Sequence, residues 1–326
     1  MLAFYSDHHP LGLPEQHRFP QHKYAALREA LMAEPRGLRL QAAPTVSPQT
    51  LMLAHTPQYI EAVLQGQLSE AAQREIGFAW SPALVSRSLH SVGATVAAAE
   101  AAMKEGLAAN LAGGTHHAYA DRGSGYCVFN DVAVAARLMQ SQWRDTHGSQ
   151  RPGLRVLVID LDVHQGNGTA AIFRDDPSVW TFSMHGERNF PFRKEASDLD
   201  VGLPDGCTDA PYLEALDQAL EALQAGPLEQ GQAAPWLAFY LAGADPHEGD
   251  RIGRLKLSTE GMRQRDERVL QWLRHRRIPA ALCMAGGYGQ DVPAMLAVQC
   301  NTLWTAAQSW AQWQDVVHQQ IGVSVP

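Results

Sequence analysis

The sequence has little of what marks secreted, membrane-spanning or nucleic-acid-binding proteins. Its four cysteines are far apart and form no Cys-x-x-Cys pair, so we expect reduced thiols and a cytoplasmic protein. No apolar run approaches the roughly 20 residues that span a bilayer. The first residues, MLAFYSDHHP, meet charge and proline too early for a signal peptide. The net charge of −8 argues against a nucleic-acid partner.

Internal repeats and low-complexity tracts are also missing, and no polar segment is long enough to link two domains. What the chain does contain is an alternation of apolar, β-rich segments with amphipathic helical patterns. This alternation predicts a three-layer α/β/α fold in which helices cover both faces of a mostly parallel central sheet. We expect a single domain over residues 1–326. The predicted strands are Leu2–Tyr5, Arg155–Leu161, Val179–Met184, Trp236–Ala242 and Ala280–Met284.

Helices are predicted where capping residues flank an apolar period of three and four residues. Ser81 and Pro82 suit the N-cap and the first position of a helix that ends at Gly106. Further helices are predicted from Asn130-Asp131 through Leu138, from about Ala210 to Leu223 and after Ser258. The cationic run Arg274–Arg277 suits the negative end of the last helix, and we interpret it as a solvated helix end rather than a nucleic-acid patch.

Charged side chains end a strand that is predicted to be buried. The apolar segment RVLVI runs directly into Asp160, Asp162 and His164. Unpaired charges in a protein interior cost several kcal/mol each, so something must compensate them. Because side chains along a strand alternate with a period of two, all three residues can point to one face.

Other polar residues follow other predicted strands or precede a predicted helix. Asp245 follows one strand, Tyr288 follows another within AGGYG, and His116 and His117 lie in AGGTHHA. Ligands of open α/β sheets bind at the carboxyl ends of the strands, so we expect these groups to meet there. Taken singly, each has an ordinary structural explanation, such as a turn or a surface pair of imidazoles.

Together, Asp162, His164 and Asp245 would form a metal site with nitrogen and oxygen ligands. Three protein ligands leave one position open, which is typical of a catalytic zinc rather than a structural one. The cation would balance the buried carboxylates. Asp160 would then be free to orient a catalytic imidazole.

The remaining groups suit hydrolytic chemistry beside such a metal. His116 and His117 can act as general acid and base near neutral pH. The hydroxyl of Tyr288 can donate a hydrogen bond to a developing oxyanion. An activated water, a base and an oxyanion donor together predict hydrolysis of an amide or a similar carbonyl compound.

Several motifs occur in an order that resembles the histone deacetylase superfamily, whose members are zinc-dependent amidohydrolases of the arginase–deacetylase fold. They are GGTHHA, GYCVFND, VIDLDVHQGNGT, FSMH, LAGAD followed by EGD, and AGGYG, and the early HRFPQHKY extends the match over most of the chain. The segments HQGNG, FSMHGERNFPF and GADPHEGDRIG are most similar to the class IV branch and its bacterial relatives.

The resemblance implies roles for the matching residues. It implies one zinc ion per chain on the three ligands already named. It makes His117 the general base that later protonates the leaving amine, His116 its electrostatic partner paired with Asp160, and Tyr288 the group that polarises the carbonyl. It also implies a structural potassium ion near Asp160, Asp162, His164 and Ser183.

The substrate tunnel and the groups that support the site are implied in the same way. Gly125 and Tyr126 match the tunnel wall, and Ile252 falls near the position where polyamine-selective relatives carry an acidic residue, which argues against polyamines. The supporting positions are Asn167, Gly286 and Gly287. Many members have aspartate where Asn167 stands, so we expect a lower pKa for His117 here.

We therefore predict a zinc-dependent deacylase whose substrate is an acyl-lysine peptide or protein, or an acylated small amine. A long-chain fatty acyl-lysine deacylase is an alternative. A binuclear manganese hydrolase of the arginase type is disfavoured because Gln165 and Asn167 stand where further acids are expected. A non-catalytic acyl-lysine binder is disfavoured because every catalytic residue type is present. The oligomeric state stays open.

Overall fold

The computed structural model describes residues 1–14, 17–228, 234–289 and 291–321. Within these residues, eight parallel strands form one sheet in the order β2-β1-β3-β8-β7-β4-β5-β6. The strands are β1 (Leu2–Tyr5), β2 (Arg39–Ala42), β3 (Leu107–Asn110), β4 (Arg155–Asp160), β5 (Val179–Gly186), β6 (Leu199–Leu203), β7 (Trp236–Leu241) and β8 (Ala280–Cys283).

Helices connect these strands and cover both faces of the sheet, as the sequence predicts. They are α1 (Lys23–Ala33), α2 (Pro48–Leu51), α3 (Pro57–Leu64), α4 (Glu70–Ile76), α5 (Pro82–Glu105), α6 (Asp131–His147), α7 (Asn167–Phe173), α8 (Asp209–Leu223), α9 (Thr259–His275) and α10 (Val292–Ile321), with a single π turn at Gln224–Leu228. Among the described residues, every helix is too short or too polar to cross a bilayer.

Alternation along β4 shows why the sheet is buried on both sides. Leu157 and Ile159 belong to one hydrophobic core, whereas Val156 and Val158 belong to the other. Successive side chains of a strand point to opposite faces, so an unbroken apolar run requires a helical layer on each side. The three-layer α/β/α arrangement is therefore confirmed, and the sheet is entirely parallel.

The capping residues fix the predicted helix boundaries where they were clearest. The Ser81 hydroxyl accepts the Leu84 N–H at 3.0 Å, and α5 ends at Gly106, as predicted. The helix predicted to end at Leu138 was too short, because α6 continues to His147. Its polar second half faces solvent on one side, which hides the helical period in the sequence.

The order of the strands brings four functional loops to one edge of the sheet. Strands β3, β8, β7 and β4 are consecutive neighbours, although β7 and β8 come last in the chain. The segments after their carboxyl ends carry, in the same order, the histidine pair, Tyr288, Asp245 and the Asp162–His164 segment. Residues that are more than 170 positions apart by their numbers thus meet at one edge.

Candidate active site

The loops after β4 and β7 bring Asp162, His164 and Asp245 together, as predicted. Their ligand atoms all lie within 4.8 Å of one another. His164 Nδ1 is 3.0 Å from Asp162 Oδ1 and 3.3 Å from Asp245 Oδ2. All three side chains are buried. Two carboxylates and an imidazole at this spacing form a cluster that could bind one cation.

The charge state of this cluster tests whether a divalent cation fits it. Asp245 Oδ1 accepts the Val163 N–H at 2.9 Å, but Asp245 Oδ2 is buried without a hydrogen-bond donor. Burial, together with the Asp162 carboxylate, raises the pKa of Asp245 to about 7. Burial opposes protonation of His164, yet the neighbouring carboxylates of Asp162 and Asp245 outweigh it and raise the pKa of His164 to about 10. A zinc ion would supply the missing partner of Asp245 and displace the proton of His164, so the donor set fits zinc.

The glycines of AGGYG make room for the carboxylates. A Cβ on Gly286 would lie 1.9 Å from Asp245 Oδ2 and 2.7 Å from Asp162 Oδ2. The Gly286 N–H also donates to Asp162 Oδ2 at 2.8 Å. Any side chain here would displace both carboxylates, because real Cβ contacts are not this short.

The two adjacent histidines have opposite electrostatic tendencies. Burial disfavours the charged form of His116, but Asp160 and Asp162 outweigh it and raise its pKa to about 9. His116 Nδ1 is 2.6 Å from Asp160 Oδ2. Burial, reinforced by His116 and His164, lowers the pKa of His117 well below its ordinary value. One imidazole is therefore a cation at neutral pH and its neighbour is a neutral base.

Tyr288 follows β8 and is held by two groups from distant parts of the chain. Its backbone N–H donates to Asp250 Oδ2 at 2.6 Å. Lys23 Nζ donates to the Gly287 carbonyl at 3.1 Å and lies 5.2 Å from the Tyr288 ring centroid. Burial raises the pKa of Tyr288 well above its ordinary value, so its hydroxyl stays protonated and can donate.

A cavity with an empty volume of about 740 Å³, its open mouth included, reaches Asp162 and His164 of the cluster. Gly125, Tyr126, both histidines of the pair and Tyr288 line it. Tyr126 packs against Phe19 and Phe78, with ring centroids 5.3 and 5.2 Å away. Further apolar and polar lining comes from Leu11, Tyr24, Leu84, Arg87, Ser88, Ser91 and Val92.

Comparison with known proteins agrees with this geometry. Residues 17–303 match the family model described as the histone deacetylase domain. The chain belongs to the histone deacetylase family. This membership makes it a deacetylase-type amidohydrolase, a hydrolase of acyl amides.

Two relatives and one solved structure show which known proteins the chain is similar to. An uncharacterised protein of Picosynechococcus is 44% identical over 287 residues, which cover 86% of this chain and 89% of that protein. The human polyamine deacetylase HDAC10 is 33% identical over 300 residues, covering 83% of this chain and 41% of that protein. The crystal structure of a histone deacetylase homologue from Aquifex aeolicus has a TM-score of 0.75 at 24% identity, covering 100% of this chain and 84% of that chain, and shows the shared arginase–deacetylase fold.

Three further predicted positions of this histone deacetylase family member remain to be placed. Ile252 lies apart from the histidine pair and the three-ligand cluster, whereas Ser183 and Asn167 lie next to them. Ile252 is 40% exposed and does not belong to the cavity lining within the described residues. Its carbonyl instead accepts Asn189 Nδ2 at 3.0 Å. Ser183 lies on β5 opposite Asp160 and contacts His185 Nδ1 at 3.0 Å, so it is adjacent to the segment that carries Asp160 and Asp162. Asn167 Oδ1 lies 2.7 Å from His117 Nδ1.

Sequence reasoning missed residues that position the site from a distance. Arg265 on α9 is fully buried and donates to the Gly243 carbonyl at 2.7 Å and to the Leu161 carbonyl at 3.4 Å. These carbonyls belong to the segments that carry Asp245 and Asp162. Phe190 packs edge-to-face on His117 at 4.9 Å. The aromatic pair in NFPF, directly after a strand, was the only signal in the sequence for Phe190, and Arg265 had none.

Proposed function

We propose that this protein is a zinc-dependent deacylase that hydrolyses ε-N-acyl-lysine, releasing a carboxylate and a free amine. The observation that carries the proposal is the convergence of a three-ligand cluster, two of whose members line the cavity, with a cationic histidine, a neutral histidine and a protonated tyrosine that also line it. We also propose that the chain acts as one catalytic domain, because all these groups come from loops of one sheet.

Asp162, His164 and Asp245 would hold the zinc ion, which when bound polarises an acyl carbonyl and makes a water molecule a better nucleophile. His117 is neutral and its Nδ1 is occupied by Asn167, so its Nε2 can accept a proton from the attacking water. The same nitrogen then returns a proton to the leaving amine. Once protonated, the amine has no free lone pair and cannot attack the acyl carbon again.

Tyr288 and His116 stabilise the charge that develops during attack. The protonated hydroxyl of Tyr288 would donate to the acyl oxygen as it becomes an oxyanion. His116 stays cationic because Asp160 holds its Nδ1, and its charge lies next to His117, with ring centroids 4.1 Å apart. That neighbouring charge keeps His117 unprotonated until the reaction delivers a proton.

The cavity lining supports a short acyl group on an aliphatic stem. Tyr126 and its aromatic neighbours suit the methylene chain of lysine. Arg87 is a buried residue of the cavity lining. It lies 4.5 Å from the Tyr24 ring centroid, and burial lowers its pKa. A long alkyl chain against this guanidinium would remove its remaining solvation without offering a partner. Acetyl-lysine is therefore the proposed substrate.

A long fatty acyl group is the second candidate for one specific reason. Leu11, Leu84 and Val92 line the same cavity as Arg87 and provide apolar surface for a longer chain. A panel of lysine peptides carrying acetyl to myristoyl groups, together with acetylated polyamines, distinguishes these substrates. Ile252 carries no negative charge that would attract a polyamine, so we expect acetylated polyamines to be poorer substrates than acetyl-lysine peptides.

A second metal in the catalytic site finds no support in the neighbouring residues. Gln165, where a further acid is expected, donates to the Glu195 carbonyl at 2.6 Å and to Asp200 Oδ1 at 2.9 Å. An arginase-type manganese pair therefore lacks its bridging ligand here. The structural potassium ion near Ser183 stays a prediction, which the dependence of stability on potassium, with sodium as the control, would test.

Variants of Tyr288 and His117 test the proposed roles on an acetyl-lysine peptide. We expect Tyr288→Phe to lose about 100-fold or more in kcat, as oxyanion donors do, and His117→Ala to lose about 100-fold or more. Tyr212→Phe removes a buried hydroxyl elsewhere and serves as the control. Activity should vanish with a chelator and return with zinc. Near-wild-type turnover in either active-site variant, or full activity after metal removal, contradicts the proposal.

A further inference from the structure

A second group of metal-ligating side chains lies outside the catalytic cluster. Among the described residues, only two groups of histidine, cysteine, aspartate and glutamate bring three ligand atoms within 4.8 Å of one another. One is the catalytic cluster. The other consists of His8 and His9, which follow β1, and His90 on α5. We propose that this trihistidine cluster binds a divalent transition-metal ion of the zinc, copper and nickel class.

The three imidazole rings lie close together, but the His9–His90 stack must open before both rings can direct a nitrogen at one ion. His9 stacks on His90 with centroids 3.7 Å apart and an angle of 22° between the planes. His8 lies 4.2 Å from His9 and 5.7 Å from His90. The ligand atoms of all three residues lie within 4.8 Å of one another, and imidazole is the commonest metal ligand in proteins.

Ser86 orients two of the rings in the way that metal ligands require. His90 Nδ1–H donates to the Ser86 carbonyl at 2.8 Å. The Ser86 hydroxyl is hydrogen-bonded to His9 Nδ1 at 3.1 Å. Metal-binding histidines commonly use one ring nitrogen for such a bond and the other for the ion. The Nε2 atom of His90 is thereby left for a ligand, and that of His9 is left when its Nδ1 carries the proton and donates to the hydroxyl.

The charged neighbours of the trihistidine cluster are compatible with a bound cation. They are Asp7, Arg28 and Arg87. Arg28 is neutralised by Asp7 at 2.8 Å, and the Arg87 guanidinium lies over the Tyr24 ring. The second oxygen of Asp7 is buried without a hydrogen-bond donor. An unpaired carboxylate oxygen on the residue next to His8 adds a negative charge that favours a bound cation.

The donor set defines the class of ion. Imidazole nitrogen suits zinc, copper and nickel, whereas magnesium and calcium require oxygen ligands. Nitrogens around tetrahedral zinc lie about 3.4 Å apart, so the His9 and His90 rings would turn out of their stack and the exposed ring of His8 would move towards them. The ion would tie the segment that carries Leu11 to the helix that carries Arg87, and both residues line the catalytic cavity.

Zinc stoichiometry tests the trihistidine site without relying on activity. Full-length protein is stripped with a chelator, reloaded with zinc, dialysed and analysed by elemental mass spectrometry. We expect two zinc ions per wild-type chain and one in the His9→Gln/His90→Gln variant. His275→Gln, which removes an exposed histidine of α9, should retain two. A wild-type protein that holds only the catalytic zinc, or a double variant that binds as much as wild type, overturns the proposal.

A milder variant and a spectroscopic probe cover the case in which the double variant does not fold. His8→Gln changes an exposed side chain, and we expect it to weaken the second zinc-binding event by about 10-fold or more in calorimetry, in line with the loss of one ligand. Copper added to wild-type protein that carries one equivalent of zinc should give an electron paramagnetic resonance spectrum with nitrogen couplings from several imidazoles. Unchanged zinc affinity in His8→Gln, or a copper spectrum without imidazole couplings, also overturns the proposal.

Discussion

The side-chain oxygen of Asn167 accepts a hydrogen bond from His117 Nδ1 at 2.7 Å. The amide orients the imidazole but adds no charge to it. Burial and two neighbouring imidazoles therefore dominate, and they hold the pKa of His117 well below its ordinary value. The imidazole of His117 is thus neutral and able to accept a proton throughout the neutral pH range. The Asn167 amide stabilises the protonated form of His117 less than a carboxylate would.

Replacing Asn167 with aspartate should move the acidic limb of the pH profile. The new carboxylate favours protonated His117, so the pKa of His117 rises by about one unit or more. Because the base must be neutral to accept a proton, activity of Asn167→Asp should decline at a higher pH than that of wild type. The measurement is kcat/KM from pH 5 to 9. Asn301→Asp on α10 is the matched control, and a limb that does not move contradicts the proposed role of His117.

Lys23 should act on catalysis by positioning Tyr288. Lys23→Met removes the donor to the Gly287 carbonyl and the cation beside the Tyr288 ring, so the hydroxyl loses its fixed position. Because small misplacements of catalytic groups are costly, we expect kcat to fall about 10- to 100-fold, with KM almost unchanged. The measurement is steady-state kinetics on an acetyl-lysine peptide.

Two further variants distinguish positioning from general damage. Lys23→Arg keeps the cation and should recover part of the lost kcat. Lys104→Met, on an exposed position of α5, should behave as wild type. If Lys23→Met and Lys23→Arg lose kcat and stability to the same extent while Lys104→Met loses neither, Lys23 is only structural.

The clustering of Asp162, His164 and Asp245 could be predicted because the signals of these residues are local. Asp162 and His164 follow an apolar strand directly, and Asp245 follows another, so the ends of buried strands identify all three. The sequence order of the strands did not reveal that β7 and β8 insert between β3 and β4. That insertion depends on which faces pack best, and it sets the neighbours of each loop.

The supporting residues could not be predicted because each acts through a contact distant in sequence. Lys23 and Gly287 are 264 positions apart, and Arg265 and Leu161 are 104 apart. A lysine or an arginine in an amphipathic helix normally faces solvent, so nothing local indicates that these two are buried. Strand β3 was also missed, because LAAN combines four short residues with little β preference.

Arg265 should be necessary for stability. It is paired with Asp266 at 2.8 Å in the interior, where Tyr240 and Thr302 also donate to that carboxylate. Arg265→Met leaves the charge of Asp266 without its cation, which costs about 3–5 kcal/mol for a buried pair. Urea denaturation should show this loss. Arg268→Met on the same helix breaks a surface pair with Asp217 and should cost about 1 kcal/mol or less.

His55 should make stability depend on pH between about 4 and 6.5. Burial lowers its pKa to about 4, against the weaker pull of backbone carbonyls, and its Nε2 accepts the Asn130 N–H at 2.9 Å. Unfolded histidine titrates near 6.5, so protons bind the unfolded state more tightly than the folded one. The neutral imidazole therefore contributes its full stabilisation above pH 6.5, and this contribution is lost as the pH falls towards 4, to a total of about 3 kcal/mol.

His55→Gln isolates this contribution from the carboxylates that titrate in the same range. Glutamine can still accept the Asn130 N–H but binds no proton, so the free energy of unfolding of the variant should fall less steeply between pH 6.5 and 4 than that of wild type. Urea denaturation at a series of pH values measures both slopes. His22→Gln, at an exposed position before α1, should keep the wild-type slope. Parallel slopes for wild type and His55→Gln would place the proton uptake elsewhere in the protein.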